Sequence, residues 1–196
     1  MSRAEADYFL SIAYGSEYGT RADRLRVWGR DITVRMFGSP TGADTVELDR
    51  VIGELNTLAG RRVMRRVSDA ANLGVYFVGQ EGFDRHAPAY ARQNAGYVAI
   101  RWDKRSRIYA GTVLVRSDGL SDRRRRHVIR EEVTQALGLL NDSERYPESI
   151  FYEPRSEVTE FAPIDRAVIR LLFDYRHLVG ARAPALRAAV ERRVGG

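Results

Sequence analysis

Glu131-Glu132-Val133-Thr134-Gln135-Ala136-Leu137-Gly138-Leu139-Leu140-Asn141-Asp142 joins an apolar stripe to a row of polar side chains, both at helical spacing. Ile129, Val133, Ala136, Leu137 and Leu140 recur at i, i+4, i+7, i+8 spacing and predict the core-facing side of a helix. His127, Glu131 and Gln135 fall at successive i+4 steps on roughly the opposite side, with Glu132 flanking them. Upstream, Asp118-Gly119 breaks a strand-like run, and Ser121 or Asp122 caps a helix that continues to about Leu137. Gly138 stops it, and the chain beyond reads as irregular as far as Ala162.

Working outward, a helical stretch from Ala4 to Tyr14 ends near Gly15 and leads through a polar connection to Arg24. Ile32–Phe37 alternates apolar and polar residues, the period of a half-buried strand. After the turn chemistry of Gly38–Gly42, Asp44 opens an amphipathic helix whose Val46, Val51, Ile52, Leu55 and Leu58 are expected mostly on one face, with Gly60 as its stop. Val63–Val67, Leu73–Val78, Tyr97–Trp102 and Ile108–Val115 read as strands, with a looser segment around Pro88 and Tyr90 as a short helix. Ile164, Ala167, Val168, Leu171 and Leu172 predict a helix started near Pro163, and Arg182–Arg193 a last one. No repeat, low-complexity tract or linker composition divides the chain, so residues 1–196 read as one α/β domain on a mixed sheet of about five strands. Its upper part, about 1–138, holds the sheet and the site helix; about 139–196 form the lower part.

Composition narrows the function classes. Hydrophobic residues make up 44% and charged residues 30%, which is globular rather than disordered. There is no cysteine, so neither disulfides nor thiolate-held metal enter the argument. No apolar run approaches the ~18 residues of a membrane span, and the polar start has no leader-like apolar core. The sequence as given is expected to be cytoplasmic, or secreted if a leader has been removed. The net charge of +6 raises a nucleic-acid reading. It is a weak one: Lys104 is the sole lysine, the arginines run along the whole chain, and the dense run Arg123–Arg126 comes with no zinc-finger, helix-turn-helix or RNA-binding signature. That run reads as a solvated face, with an acidic partner as the lesser alternative.

The spacing of Glu131, Glu132, Gln135, Gly138 and Asn141 resembles the metzincin signature H-E-x-x-H-x-x-G-x-x-H. Glu148–Tyr152 resembles the Met-turn, with Ile150 or Phe151 in the methionine's place, and Thr159–Asp165 with the helix after it resembles the closing segment. The E-E-x-x-Q variant ahead of L-G-L and N-D is also similar to a family of uncharacterised bacterial proteins. The resemblance covers about Ile32 to Arg176 and implies a zincin-like fold. It further implies a peptide or protein substrate extended along Tyr97–Trp102 by strand addition, and metal-dependent hydrolysis of peptide bonds. Glu132 takes the place of the general base, and Glu131, Gln135 and Asn141 or Asp142 take the metal positions; His127, one turn before Glu131, offers a further nitrogen but stands outside the template's ligand places. The cofactor implied is a divalent ion, zinc first, although an all-oxygen donor set suits harder cations. Two alternatives stand beside the hydrolase: a pseudoenzyme of the same fold that binds peptides or proteins, and, more weakly, a basic nucleic-acid binder. Residue by residue, simpler readings also stand. Glu131 and Glu132 neutralise neighbouring arginines through i, i+4 pairs, Gly138 caps a helix, and Asn141-Asp142 makes a helix-exit turn.

Overall fold

The computed structural model describes residues 1–14, 23–86, 94–154 and 156–194. Most of the polar connection after Tyr14 (residues 15–22) and the Pro88 and Tyr90 segment lie outside them. In chain order the elements are α1 (Arg3–Tyr14), β1 (Val27–Trp28), β2 (Ile32–Gly38), α2 (Gly42–Leu58), β3 (Met64–Arg66), β4 (Leu73–Val78), α3 (Gln80–His86), β5 (Gly96–Trp102), β6 (Arg107–Arg116), α4 (Asp122–Gln135), α5 (Pro163–Asp174), a 3-10 turn (Arg176–Leu178) and α6 (Ala183–Val194). This is a mixed α/β architecture with six helices and a six-stranded, mostly parallel sheet among the described residues.

The strands pair in the order β1-β6-β4-β2-β3, all in parallel, while β5 pairs antiparallel with β6, its one partner among the described residues. Parallel neighbours need crossovers, and α2 supplies the one between β2 and β3. In β4, Leu73, Val75 and Phe77 are buried while Gly74, Tyr76 and Val78 are half-buried, the alternation of a pleated strand. Val34, Val75, Val113 and Val115 meet Leu48 and Val51 of α2, Ile129 and Val133 of α4, and Val168 of α5 in the main core. Leu114 points the other way and forms a small second cluster with Phe83 of α3. No helix among the described residues is long and apolar enough to cross a membrane.

Four expectations need correcting. β1 is an additional strand; two residues are too few to show a period. Val46 is 70% exposed, whereas Val51, Ile52, Leu55 and Leu58 are buried. Nine residues at about 100° each put Val46 half a turn from Leu55, so it cannot share that face. The run Arg123–Arg126 is only partly a solvated face. Arg123 and Arg124 donate to the carbonyl oxygens of Glu157 and Ser156. Arg125 makes a paired contact with Asp44 at 2.6 Å and reaches the Ser117 carbonyl oxygen at 2.7 Å. These contacts offset cations that the α4 dipole disfavours at its start. Asp44 is simultaneously the N3 residue of the α2 capping box with Thr41, so one buried carboxylate starts α2 and ties it to α4.

The fourth correction concerns the polar side of α4. His127, Glu132 and Gln135 are buried along with the apolar stripe, because β5, the 139–143 segment and the Ser156–Val158 segment cover that side. Arg130 is fully buried and does not pair with Glu131 or Glu132. It donates to Glu54 Oε2 at 2.6 Å and Glu47 Oε1 at 3.0 Å across the α2–α4 contact, with its guanidinium 4.5 Å from the Phe161 ring centroid.

Candidate site on the α4 helix

Ser121 starts α4, its hydroxyl accepting from Arg124 N at 3.1 Å. At the other end Trp28 Nε1 donates to the Ala136 carbonyl oxygen at 2.8 Å, satisfying one acceptor the helix leaves open. Gly138 has φ +109°, and a Cβ there would stand 2.5 Å from the Arg26 carbonyl oxygen. Two independent reasons therefore require glycine: a left-handed backbone and the close passage of the chain leading into β1.

His127 Nδ1 lies 2.7 Å from the Val158 carbonyl oxygen. A carbonyl only accepts, so this nitrogen carries a hydrogen. Nε2 stands 3.2 Å from Glu131 Oε2, within ion-pair distance when the ring is protonated, yet it has no aligned hydrogen-bond partner. The two groups are neighbours rather than partners in a formed hydrogen bond. Gln135 Nε2 donates to Asp142 Oδ1 at 2.6 Å, and Asn141 Nδ2 donates to the Asp142 carbonyl oxygen at 2.8 Å. Asn141 thus completes a helix-exit turn, while Asp142 folds back onto α4.

Glu132 lies beside β5. A Cβ on Gly96 would fall 2.6 Å from its Cγ and 2.7 Å from its Cδ, so the Glu132 carboxyl occupies the space a side chain at 96 would need. The Glu132 side chain therefore reaches the first residue of β5.

The segment after the site helix is fixed by a buried relay. Ser149 Oγ donates to Asp165 Oδ1 at 2.6 Å, and Tyr8 OH stands 3.0 Å from Ser149 Oγ. Ser149 has one hydroxyl hydrogen and gives it to the carboxylate, so the Tyr8 phenol is the donor to Ser149. Asp165 Oδ2 also accepts from Ile150 N at 3.1 Å and Ala162 N at 2.9 Å. Burial pushes the Asp165 carboxyl up to about 6, against the lowering by these donors. Burial also pushes the Tyr8 phenol up to about 12, with the Asp165 and Asp142 carboxylates adding to it. Ser143 N donates to the Phe151 carbonyl oxygen at 2.8 Å, so the turn bearing Ile150 and Phe151 is stitched to the residue following Asp142.

Zinc would need three side-chain donors converging on one point with a position left open. Among the described residues no group of three His, Asp or Glu side chains does so. The amide of Gln135 turns its nitrogen to Asp142, Asn141 is held by backbone, and the His127 Nε2 sits against Glu131.

A family model described as a protein of unknown function, DUF2927, matches residues 2–192. The chain belongs to the DUF2927 family. All the site residues, from Tyr8 to Asp165, lie inside that match. Comparison with curated proteins gives no match. In this DUF2927 chain the α4 spacing located Glu131, Glu132 and Gln135, but Gly96, Tyr8, Ser149 and Asp165 gave no local signal of joining them. Asp165 falls in the first turn of α5, where a carboxylate suits the helix start, and it accepts from the Ala162 backbone N–H at 2.9 Å.

Proposed function

We propose that this DUF2927 chain is a peptide-binding module of zincin-like fold, taking an extended peptide as an added strand along β5. The observation that carries the reading is the outer edge of β5, which has no strand partner among the described residues. β5 is a seven-residue strand with one partner among the described residues, and Glu132 lies against its first residue. Exposed strand edges present unpaired backbone donors and acceptors, which is what strand addition uses. The internal pairing of Gln135 with Asp142 supports binding over metal chemistry.

Hydrolysis with Glu132 as general base is a second reading, favoured by the position of its carboxyl group next to that same edge. One experiment separates them. Strand-forming peptides are titrated against tag-free protein, with and without N-methyl groups on alternate backbone nitrogens, and the products are analysed by mass spectrometry. Binding that N-methylation abolishes, without cleavage, is the expected result. Cleavage that falls about 100-fold in Glu132→Gln, the scale for losing a general base, together with a stoichiometric metal lost in Glu131→Gln, would replace the module by the hydrolase. Binding indifferent to N-methylation would end the strand-addition reading.

A further inference from the structure

The net charge of +6 is unevenly placed. Residues 101–107, which join β5 to β6, hold Arg101, Lys104, Arg105 and Arg107 against one carboxylate, Asp103. Asp103 is consumed inside the turn: Oδ1 accepts from the backbone N–H of Arg105 at 2.8 Å and of Arg107 at 3.0 Å, and Oδ2 from Arg107 Nε at 2.8 Å. The Arg107 backbone N–H and guanidinium hold that carboxyl below its usual range. Arg101, Lys104 and Arg105 are exposed, and none of the three forms an ion pair among the described residues.

The same end of the sheet exposes two large aromatic side chains, Trp102 at 43% and Tyr109 at 47%. The β5–β6 register shifts between Arg101 and Trp102, placing Trp102 opposite Ile108. The Arg26 guanidinium lies over the indole, 3.8 Å from the ring centroid, and Arg30 donates to the Tyr109 carbonyl oxygen at 3.2 Å. Asp23 lies 3.8 Å from Arg24. The outer edge of β5, without a strand partner among the described residues, thus runs from a glutamate at Gly96 to a cationic, aromatic end at Trp102. Any peptide strand added to β5 must pass that end.

We infer that this end of β5 selects acidic peptides, with Asp or Glu side chains meeting Arg101, Lys104 and Arg105 beyond the Trp102 ring. The inference rests on the reading of β5 as a peptide-binding edge. A peptide suits the surface better than a nucleic acid because the cations flank a backbone edge that no described strand covers, and Arg26 already covers one face of the indole that a base would stack on. Exposed ion pairs are individually weak, so the three acting together are expected to give about a ten-fold preference, most of it screened by salt.

The test is fluorescence anisotropy of the full chain with three labelled peptides of one strand-forming backbone, carrying Glu, Gln or Lys at alternate positions, plus a labelled oligothymidylate, at 50 and 300 mM NaCl. The expected result is Glu peptide about ten-fold tighter than Gln peptide at low salt, Lys peptide weakest, and the preference lost both at high salt and in the Arg101→Glu/Lys104→Glu/Arg105→Glu variant. Equal affinity for the Glu and Gln peptides overturns the selectivity while leaving strand addition standing. Absence of binding by all three peptides removes the edge reading and this inference with it. Tighter binding of the oligothymidylate than of the Glu peptide overturns it in favour of a general polyanion surface. The peptide comparison is made on the unaltered chain, so it decides even if the triple variant folds poorly.

Discussion

Glu132 and Gly96 form a pair in which each residue's identity depends on the other. Glu132 flanks the polar row of α4, yet it is only 7% exposed because β5 lies over it. Its contribution to stability is therefore a packing matter as well as an electrostatic one. Gly96→Ala forces the Glu132 side chain aside and should cost about 1–3 kcal/mol, the range for an added methyl in a filled site. In a Glu132→Ala background the space is vacant, and the same substitution should cost only a few tenths of a kcal/mol. A double-mutant cycle by urea unfolding measures the difference. Equal costs in both backgrounds would mean that Glu132 does not occupy the space beneath the strand.

Among elements, α4 is the organising one, and its role depends on α2. Arg130 is the largest fully buried side chain, and Glu47 beside it is 3% exposed. Arg130→Met leaves Glu47 buried without its cation and Glu54 half-neutralised, so a loss of about 3–5 kcal/mol is expected. Adding Glu47→Leu removes the orphaned charge and should restore much of that loss, since apolar replacements of buried ion pairs are often tolerated. Chemical denaturation of the single and double variants gives the answer; a single-variant loss below about 1 kcal/mol would show that the cluster does not hold the two helices together. Helicity here was readable from spacing, but partner choice was not. Arg130 and Glu131 are adjacent in the chain and point to different neighbours, one into α2 and the other to His127.

At the scale of the whole molecule, the Tyr8–Ser149–Asp165 relay joins α1, the turn at Ile150 and the start of α5. Its pH dependence has a definite sign. Asp165 titrates near 6 in the folded chain and about 3.9 when unfolded. The folded state therefore binds this proton more tightly. The resulting stability is fully present below about pH 4 and is lost as pH rises through 6; a shift of this size corresponds to roughly 2–3 kcal/mol. Unfolding free energies at pH 5 and pH 7.5 should fall with rising pH, and Asp165→Asn should flatten that slope while lowering stability overall. A slope unchanged in Asp165→Asn would place the titrating group elsewhere.

Local sequence determined most of the elements of this protein. The period-two runs of β2 and β4, the Ser121 cap, the α4 stripe, the Pro163 start of α5 and the glycine stop at 138 are all set by residues within a turn or two of one another, where sterics and hydrogen bonding act directly. It also determined that Glu131, Glu132 and Gln135 share the site helix. The tertiary structure alone decided which side of α4 became solvent, because burial there depends on β5 and on the 156–158 segment arriving from elsewhere in the chain. It decided that Gly96 makes room for Glu132, and that Tyr8 bonds to Ser149 across 141 residues. It also decided that the metal-like positions partner one another. Spacing places donors on a helix face; whether they converge on an ion or on each other is set by the segments that close over that face.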